Sequence, residues 1–490
     1  MGKTAAIIGA GIGGLAAALR LRTKGYQVEV YEQAAGPGGK IKEIRMNGFR
    51  FDTGPSLFTF PALVDELFSL FGENPGRFFR HQQLDSSCKY FWDDGTTINA
   101  WQNPTLFSQE IEQATGAKGD CVLTYLRESK ELYDIAGDTF IFHSLHNPSN
   151  YFTPSFLKTL LNIWKLDPLR TLHDRNRACL KNPKLVQIFD RYATYNGSSP
   201  YKTPSTLRMI AHLEHNTGAH FPRKGMFDIV ASLERLAVAK GVKFHYNARV
   251  ETILTKNSQV QGVRVNGLDY PFNLVLSDVD VVNLYNNLLS GVPLPENQTK
   301  QQRSSSAVIF YWGINKAFPN MQLHNILFSN NYRAEFDHLF ETRTMSSDPT
   351  VYVFISSKII PEDAPEGMEN WYVMVNAPED TGLNRKILIN ETRSKILEKI
   401  RHTLRIDLTD HIVAEAVADP QSIESETGSY KGSLYGLSSN NIWAAFNRHP
   451  NFSSKIKGLY FVGGSVHPGG GIPLCMASAK IIDKEIPSVK

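Results

Sequence analysis

The chain has 490 residues, several times an ordinary domain length, so two or three structural units and a sizeable core are expected. A hydrophobic share of 42% and a charged share of 20% exclude a disordered or fibrous chain. The net charge of +4 is too slight for a nucleic-acid binder, which wants basic residues gathered on one face; an anionic membrane surface is compatible with it but not required.

The opening residues 1–22, MGKTAAIIGAGIGGLAAALRLR, mimic a secretory signal, with a lysine ahead of an apolar run. That run carries four glycines at meaningful spacing and leads into a strand, which argues against a cleaved leader. Residues 4–9 predict a buried parallel strand, and the Ala- and Leu-rich residues 13–24 a helix that Gly25 ends. Residues 27–32 (QVEVYE) predict the next strand, completing a β-α-β unit. Between the first strand and the helix, Gly9, Gly11 and Gly14 form the G-x-G-x-x-G pattern, with Gly13 beside them. The first glycine allows the tight turn, the second a close approach of pyrophosphate to backbone, and the third tight packing of helix on strand. The helix N-terminus adds amide hydrogens and a positive dipole end for the phosphates. Glu32, 21 residues after Gly11 at the end of the second strand, is placed to accept hydrogen bonds from a ribose diol. A glycine-rich packing turn is the plainer alternative for the glycines alone; with strand, helix, strand and terminal acid together, dinucleotide binding is the better reading.

A second glycine turn, residues 36–39 followed by Lys40, leads to FRFDTGPS at 49–56. From about 61 to 219 the character changes: helical patterns dominate and bulky aromatics are frequent. The aromatics of 78–92 predict core or tunnel wall, and 182–193 carry apolar residues at helical spacing. Residues 151–169 place Phe152, Phe156, Leu160 and Trp164 at four-residue spacing, with Lys158 and Lys165 flanking that face. That face suits an interfacial helix dipping into a bilayer or, equally, a core helix lining a substrate domain. Around Lys224 the first character returns, with a helix over 226–240, Gly241 stopping it, and strands at 242–245, 249–254 and 273–277. Strands at 304–314, 350–356 and 371–376 belong to a second sheet; 395–404 is helical; 458–464 is a strand entering a glycine-rich turn and a last helix near 475–482.

The simplest organisation is α/β: a discontinuous Rossmann-like dinucleotide domain from 1–70, 220–300 and 415–490, with an inserted α+β substrate domain at 71–219 and 301–414. Cys88, Cys121, Cys179 and Cys475 are far apart with no metal spacing, so no metal site or disulfide framework is expected, although Cys88 and Cys475 remain free to pair in space. No apolar stretch is long enough to span a bilayer, so a cytoplasmic protein is expected, attached at most to one leaflet of the cell membrane.

Gly38-Gly39-Lys40 together with Gly54-Pro55-Ser56 resembles the extended signature of the FAD-dependent amine oxidase and carotenoid desaturase superfamily. The end of the chain, Gly463-Gly464-Ser465-Val466-His467-Pro468 through Gly471-Ile472-Pro473, is similar to the segment that closes bacterial carotenoid desaturases of the phytoene desaturase type. Residues 195–204 and 222–236 also look like positions of that family. Three positions depart from it: Lys224-Gly225 for two glycines, Val466 for threonine, and Leu474 for a small residue. The resemblance implies FAD held by Gly9, Gly11, Gly13, Gly14, Glu32, Gly38, Gly39, Lys40, Gly54, Pro55, Ser56, Gly463, Gly464, Gly471, Ile472 and Pro473, and by the main chain of Val250 at the adenine. It implies desaturation of a carotenoid: an allylic C–H passes hydride to flavin N5, a neighbouring proton is lost, and oxygen or a quinone reoxidises the flavin. Because the polyene itself spreads the positive charge, no acid/base pair is expected; His467 is the tempting candidate, with a structural hydrogen bond the better reading. The resemblance runs closest to 1-hydroxycarotenoid 3,4-desaturases. Phytoene desaturation, polyene isomerisation or saturation, a flavin amine oxidase, and a non-catalytic carotenoid or lipid carrier remain as alternatives.

Overall fold

The computed structural model describes residues 2–382 and 384–489. The strand Thr4–Ile8 is buried from its second residue onward and pairs in parallel on both sides, as a near-continuous apolar run does when both faces of its sheet are covered. Five parallel strands form this sheet in the order Lys243–His245, Gln27–Tyr31, Thr4–Ile8, Leu274–Ser277 and Leu459–Phe461. Its members come from three distant stretches of chain, so the sheet closes only when the last strand is in place. The helix Ile12–Thr23 starts tightly against the first strand, since a Cβ on Gly14 would stand 2.2 Å from the Gly9 carbonyl oxygen. The closing helix Ile472–Glu485 packs along it. Between them Arg20, 4% exposed, bonds Glu66 and Asp483.

A seven-stranded sheet makes the second layer, ordered Ile412–Ala418, Ser306–Ile314, Glu369–Ala377, Val351–Phe354, His324–Leu327, Ser86–Phe91 and Thr97–Trp101. All neighbours are antiparallel except His324–Leu327 with Ser86–Phe91. The pleat sorts side chains by alternation. Val308, Phe310, Trp312, Val351, Val353, Trp371, Val373 and Val375 face the helix Arg385–Leu404 through Ile396 and Ile400. Ile309, Tyr311, Tyr352, Tyr372, Met374, His324 and Ile326 face the other way and floor a cavity. Three elements differ from the sequence expectation. Strands Ser86–Phe91 and Thr97–Trp101 stand where helices were expected to dominate, and the helix expected from 395 begins at Arg385, capped by the Asn384 side chain. The strand Ile412–Ala418 also crosses the boundary drawn at 415 and pairs with the second sheet.

Residues 151–169 do not form one helix. A 3-10 turn Pro148–Phe152 and short helices Pro154–Leu161 and Ile163–Leu166 are broken at Asn162. Their large apolar side chains face outward, with Phe152 82%, Trp164 69% and Leu169 85% exposed, so the core-helix alternative fails. Trp443 and Phe446 extend this patch, joined through Phe140 against Phe446 and the His146 bond to the Phe446 carbonyl. Among the described residues no helix is long and apolar enough to cross a membrane. All four cysteines are free, so Cys88 and Cys475 do not pair.

Candidate active site

A cavity of about 580 Å³ opens at the carboxyl ends of the parallel strands and continues onto the floor of the second sheet. Backbone lines its first half. Gly9 (φ +97), Gly38 (φ +127) and Gly39 (φ +59) occupy the left-handed region that only glycine enters without strain. Gly38 N donates to the Ala10 carbonyl, so the second glycine turn is laced to the first. A Cβ on Gly54 would lie 2.0 Å from the Lys40 carbonyl, which fixes glycine there as well. Glu32 accepts from the amides of Ala10 and Ala34, both at 2.8 Å, and its carboxylate faces the cavity. Gly11, Lys40, Pro55, Ser56, Val250, Gly464, Gly471, Ile472 and Pro473 also line it. Gly13, Gly14 and Gly463 do not; they pack behind the lining against one side chain.

That side chain is Asp278, which the sequence reading did not single out. Its Oδ2 accepts from Gly14 N at 3.0 Å, and a Cβ on Gly11, Gly13 or Gly463 would approach a carboxylate oxygen to 2.3, 2.8 or 2.1 Å. Burial pushes the Asp278 carboxyl up to about 7, the charge of Glu32 adds to the rise, and the Gly14 amide and Lys40 oppose it. The signal was present: a carboxylate directly after the strand 274–277, at the end of a parallel strand where ligands gather.

Around this point cations crowd together. Lys40 donates to the Leu434 carbonyl at 2.6 Å; burial lowers its pKa, while Asp280 pulls the other way. Arg303 bonds Asp280 at 2.8 Å, yet its Nε and Nη1 are buried with no partner among the described residues. Burial and the neighbouring Arg303 hold Arg448 down to about 10. Lys40, which lines the cavity, and the first-turn amides of Ile12 and Gly13 that no helical carbonyl can reach form a complement to a dianionic phosphate group, while Arg303 and Arg448 stand behind the lining. The residues present therefore fit a dinucleotide.

Side chains build the second half. Ser56 Oγ and Tyr352 OH are 2.6 Å apart, and His324 Nδ1 stands 2.8 Å from the same hydroxyl. Burial holds the His324 imidazole neutral, down to about 3. Further along, Arg191 bonds Glu214, 1% exposed, which also accepts from Ser87, Tyr192 and Tyr195. Burial alone would raise the Glu214 carboxyl; Arg191 and these donors outweigh it and lower its pKa. His467 is elsewhere: 1% exposed, outside the lining, and bonded through Nε2 to the His143 carbonyl at 2.9 Å, a structural contact.

Fold and cavity together define a dinucleotide-dependent oxidoreductase whose cofactor domain is assembled from both ends of the chain. Residues 12–481 match the flavin-containing amine oxidoreductase family, and the chain belongs to it. FAD is its cofactor. The chain is 48% identical over 486 residues to a 1-hydroxycarotenoid 3,4-desaturase of Flavobacterium sp., covering 99% of each. It is 29% identical to a 4,4'-diapolycopene oxygenase of Methylomonas sp., covering 98% of this chain and 97% of that one. Among solved structures, a putrescine oxidase variant redesigned in its cofactor site superposes with a TM-score of 0.63 at 15% identity, over 99% of this chain and 98% of that one, a likeness of fold.

Proposed function

We propose that the enzyme is an FAD-dependent carotenoid desaturase that removes two hydrogens beside the hydroxylated end of a polyene, across the C-3,4 bond of a 1-hydroxycarotenoid. The observation that carries this reading is the change of lining within one cavity. A cleft of glycine backbone, with Lys40 beside it, runs directly onto a floor of Ile309, Tyr311, Ile326, Tyr352, Tyr372 and Met374. The names of the similar proteins, carotenoid oxidisers of both kinds, support the same substrate class.

In this reading Gly9, Gly11 and Lys40 hold the pyrophosphate, Glu32 the ribose, and the Val250 main chain the adenine. Gly13, Gly14 and Gly463 let the two glycine segments close on Asp278, Gly38 and Gly39 stand with Lys40 at the phosphates, and Gly54, Pro55, Ser56, Gly464, Gly471, Ile472 and Pro473 surround the ring end. When bound, FAD supplies a two-electron oxidant for an allylic C–H bond. The floor orients the polyene and keeps water from it, and delocalisation along the conjugated chain takes over the work that an acid/base pair does elsewhere. Oxygen or a quinone then takes the electrons.

The exposed strap with Phe152, Leu161, Trp164 and Leu169 is read as a peripheral seat on the inner face of the cell membrane, from which so apolar a substrate is collected. Each large side chain buried in the interface contributes about 1.5–3 kcal/mol. Co-sedimentation with phosphatidylcholine vesicles should fall at least about tenfold for the triple variant Leu161→Ser, Trp164→Ser, Leu169→Ser; unchanged sedimentation would remove the seat.

The substrate assignment is tested by giving the holoenzyme a vesicle-dispersed mixture of 1-hydroxy-γ-carotene and phytoene and weighing the products. Loss of two hydrogens from the hydroxylated polyene is expected. Conversion of phytoene alone would sink the end-group assignment, and peroxide formed from amines alone would select an amine oxidase.

A further inference from the structure

We propose that Arg191, Tyr195 and Tyr332 form a neutral polar pole that receives the substrate's hydroxyl, and so set which end of the polyene is oxidised. The inference rests on the desaturase reading and deepens it.

The order of strands turns the cavity floor into a ruler, each strand adding about 4.8 Å. Tyr352, whose hydroxyl meets Ser56 beside the glycine cleft, sits on Val351–Phe354 in the middle of the sheet. On one side the neighbours are Glu369–Ala377, Ser306–Ile314 and Ile412–Ala418, which contribute Tyr372, Met374, Ile309, Tyr311 and Ala418 to the lining. On the other side lie only two lining strands, His324–Leu327 and Ser86–Phe91, and there the lining turns polar with Ser87, Arg191, Thr194, Tyr195 and Tyr332. The long arm suits a polyene and the short arm its end group. Only two bonds separate C1 from C3, so a reader of a 1-hydroxyl must stand close to where the C-3,4 bond is oxidised. Of the two arms the short one, about 10 Å for its two strands, comes nearer to that demand.

Charge says what the pole accepts. Arg191 Nη2 bonds Glu214 at 2.9 Å and 3.2 Å and Tyr90 OH at 2.8 Å, while Nη1 donates to Tyr195 OH at 2.8 Å. Arginine and glutamate cancel, so a carboxylate or ammonium end finds no counter-charge and would be buried at high cost. Yet hydrogen-bonding capacity is left over. Arg191 carries two Nη1 hydrogens and spends one; its Nε is buried without an acceptor; the Tyr332 hydroxyl lines the cavity with no partner among the described residues. A neutral alcohol can take a bond from Arg191 and exchange one with Tyr332. A hydroxyl buried without a hydrogen bond is penalised, and a site built for a hydroxyl rejects the analogue that lacks it because its own groups stay unpaired. Glu214 acts through Arg191 and Tyr195, as a positioning residue.

The test compares kcat/KM for 1-hydroxy-γ-carotene and γ-carotene in phosphatidylcholine vesicles, for the wild-type holoenzyme and for Tyr332→Phe and Tyr195→Phe, with FAD content and Tm recorded for each. The wild type should prefer the hydroxylated polyene at least about tenfold, and Tyr332→Phe should lower that preference about tenfold, chiefly by losing the hydroxylated substrate. Wild-type preference near unity, or a preference that both Phe variants leave unchanged, overturns the pole while the desaturase reading stands. No product from either polyene overturns that reading, and the pole with it.

Discussion

The two halves of the cavity are built from different materials. The nucleotide half is backbone: Gly9, Gly11, Gly38 and Gly54 are places where a single added carbon meets a carbonyl, a carboxylate or a forbidden φ. The substrate half is side chain, with Tyr352, Tyr372, Met374, Arg191 and Tyr332 delivered from four separate stretches of sequence. Backbone sites depend on one residue type at fixed spacing. Side-chain sites depend on a sheet being assembled first, so their members can change while the floor survives.

The largest effect should come from breaking the first half. Gly14→Ala sets a Cβ 2.2 Å from the Gly9 carbonyl, a clash between backbone atoms that no rotamer relieves. Overpacking of this kind costs about 1–3 kcal/mol and should displace the helix amides. Gel-filtered protein should lose its FAD and melt several degrees lower, at about 2–4 °C per kcal/mol. Gly36→Ala, in the second glycine turn but with nothing within 4 Å of a new Cβ, should keep its FAD. Equal retention by both variants would erase the contrast.

The second half should fail through charge. Arg191→Met strands Glu214 in a buried site and should cost about 3–5 kcal/mol, whereas adding Glu214→Leu to the same variant should recover much of that loss. Thermal melts of the single and double variants decide it. Equal melting temperatures would mean that the pair is not the element that holds this nest together.

A smaller effect sits at the seam between the halves. The Asp278 carboxyl is raised from 3.8 to about 7 in the folded protein, so folding favours its protonated form. Its contribution is therefore complete below about pH 4 and is lost as pH rises through about 7. Asp278→Asn should flatten the apoprotein's fall in Tm between these limits. It should also weaken the dependence of FAD affinity on pH, since the ionised carboxylate stands beside the phosphate cleft. An unchanged pH profile in the variant would show that Asp278 does not titrate there.

What could be read in the sequence follows the same division. The glycine loops, Glu32 and the distant Gly471–Pro473 segment were legible because backbone geometry leaves a residue-type mark. The first-sheet strands were legible because buried parallel strands are continuous apolar runs. Strands Ser86–Phe91 and Thr97–Trp101 were hidden: Tyr90 and Phe91, with Trp92 just past the first strand, pack on both faces, so alternation is lost among helical neighbours. The Arg191–Glu214 nest left no pattern because its members sit on irregular turns, 23 residues apart, and are joined only by packing. Asp278 went unnoticed because its partners are amides and glycines far away in the chain. The break at Asn162 also escaped a four-residue apolar spacing that runs straight across it.

The most direct test of the central claim, that one cavity joins FAD to a hydroxylated polyene, is anaerobic reduction of the bound flavin. Mixing oxygen-free holoenzyme with vesicle-dispersed 1-hydroxy-γ-carotene should bleach the yellow absorbance of the bound FAD in a single turnover, with one desaturated product formed for each flavin reduced. Flavin that stays oxidised with the polyene but bleaches with an amine such as putrescine would contradict the account.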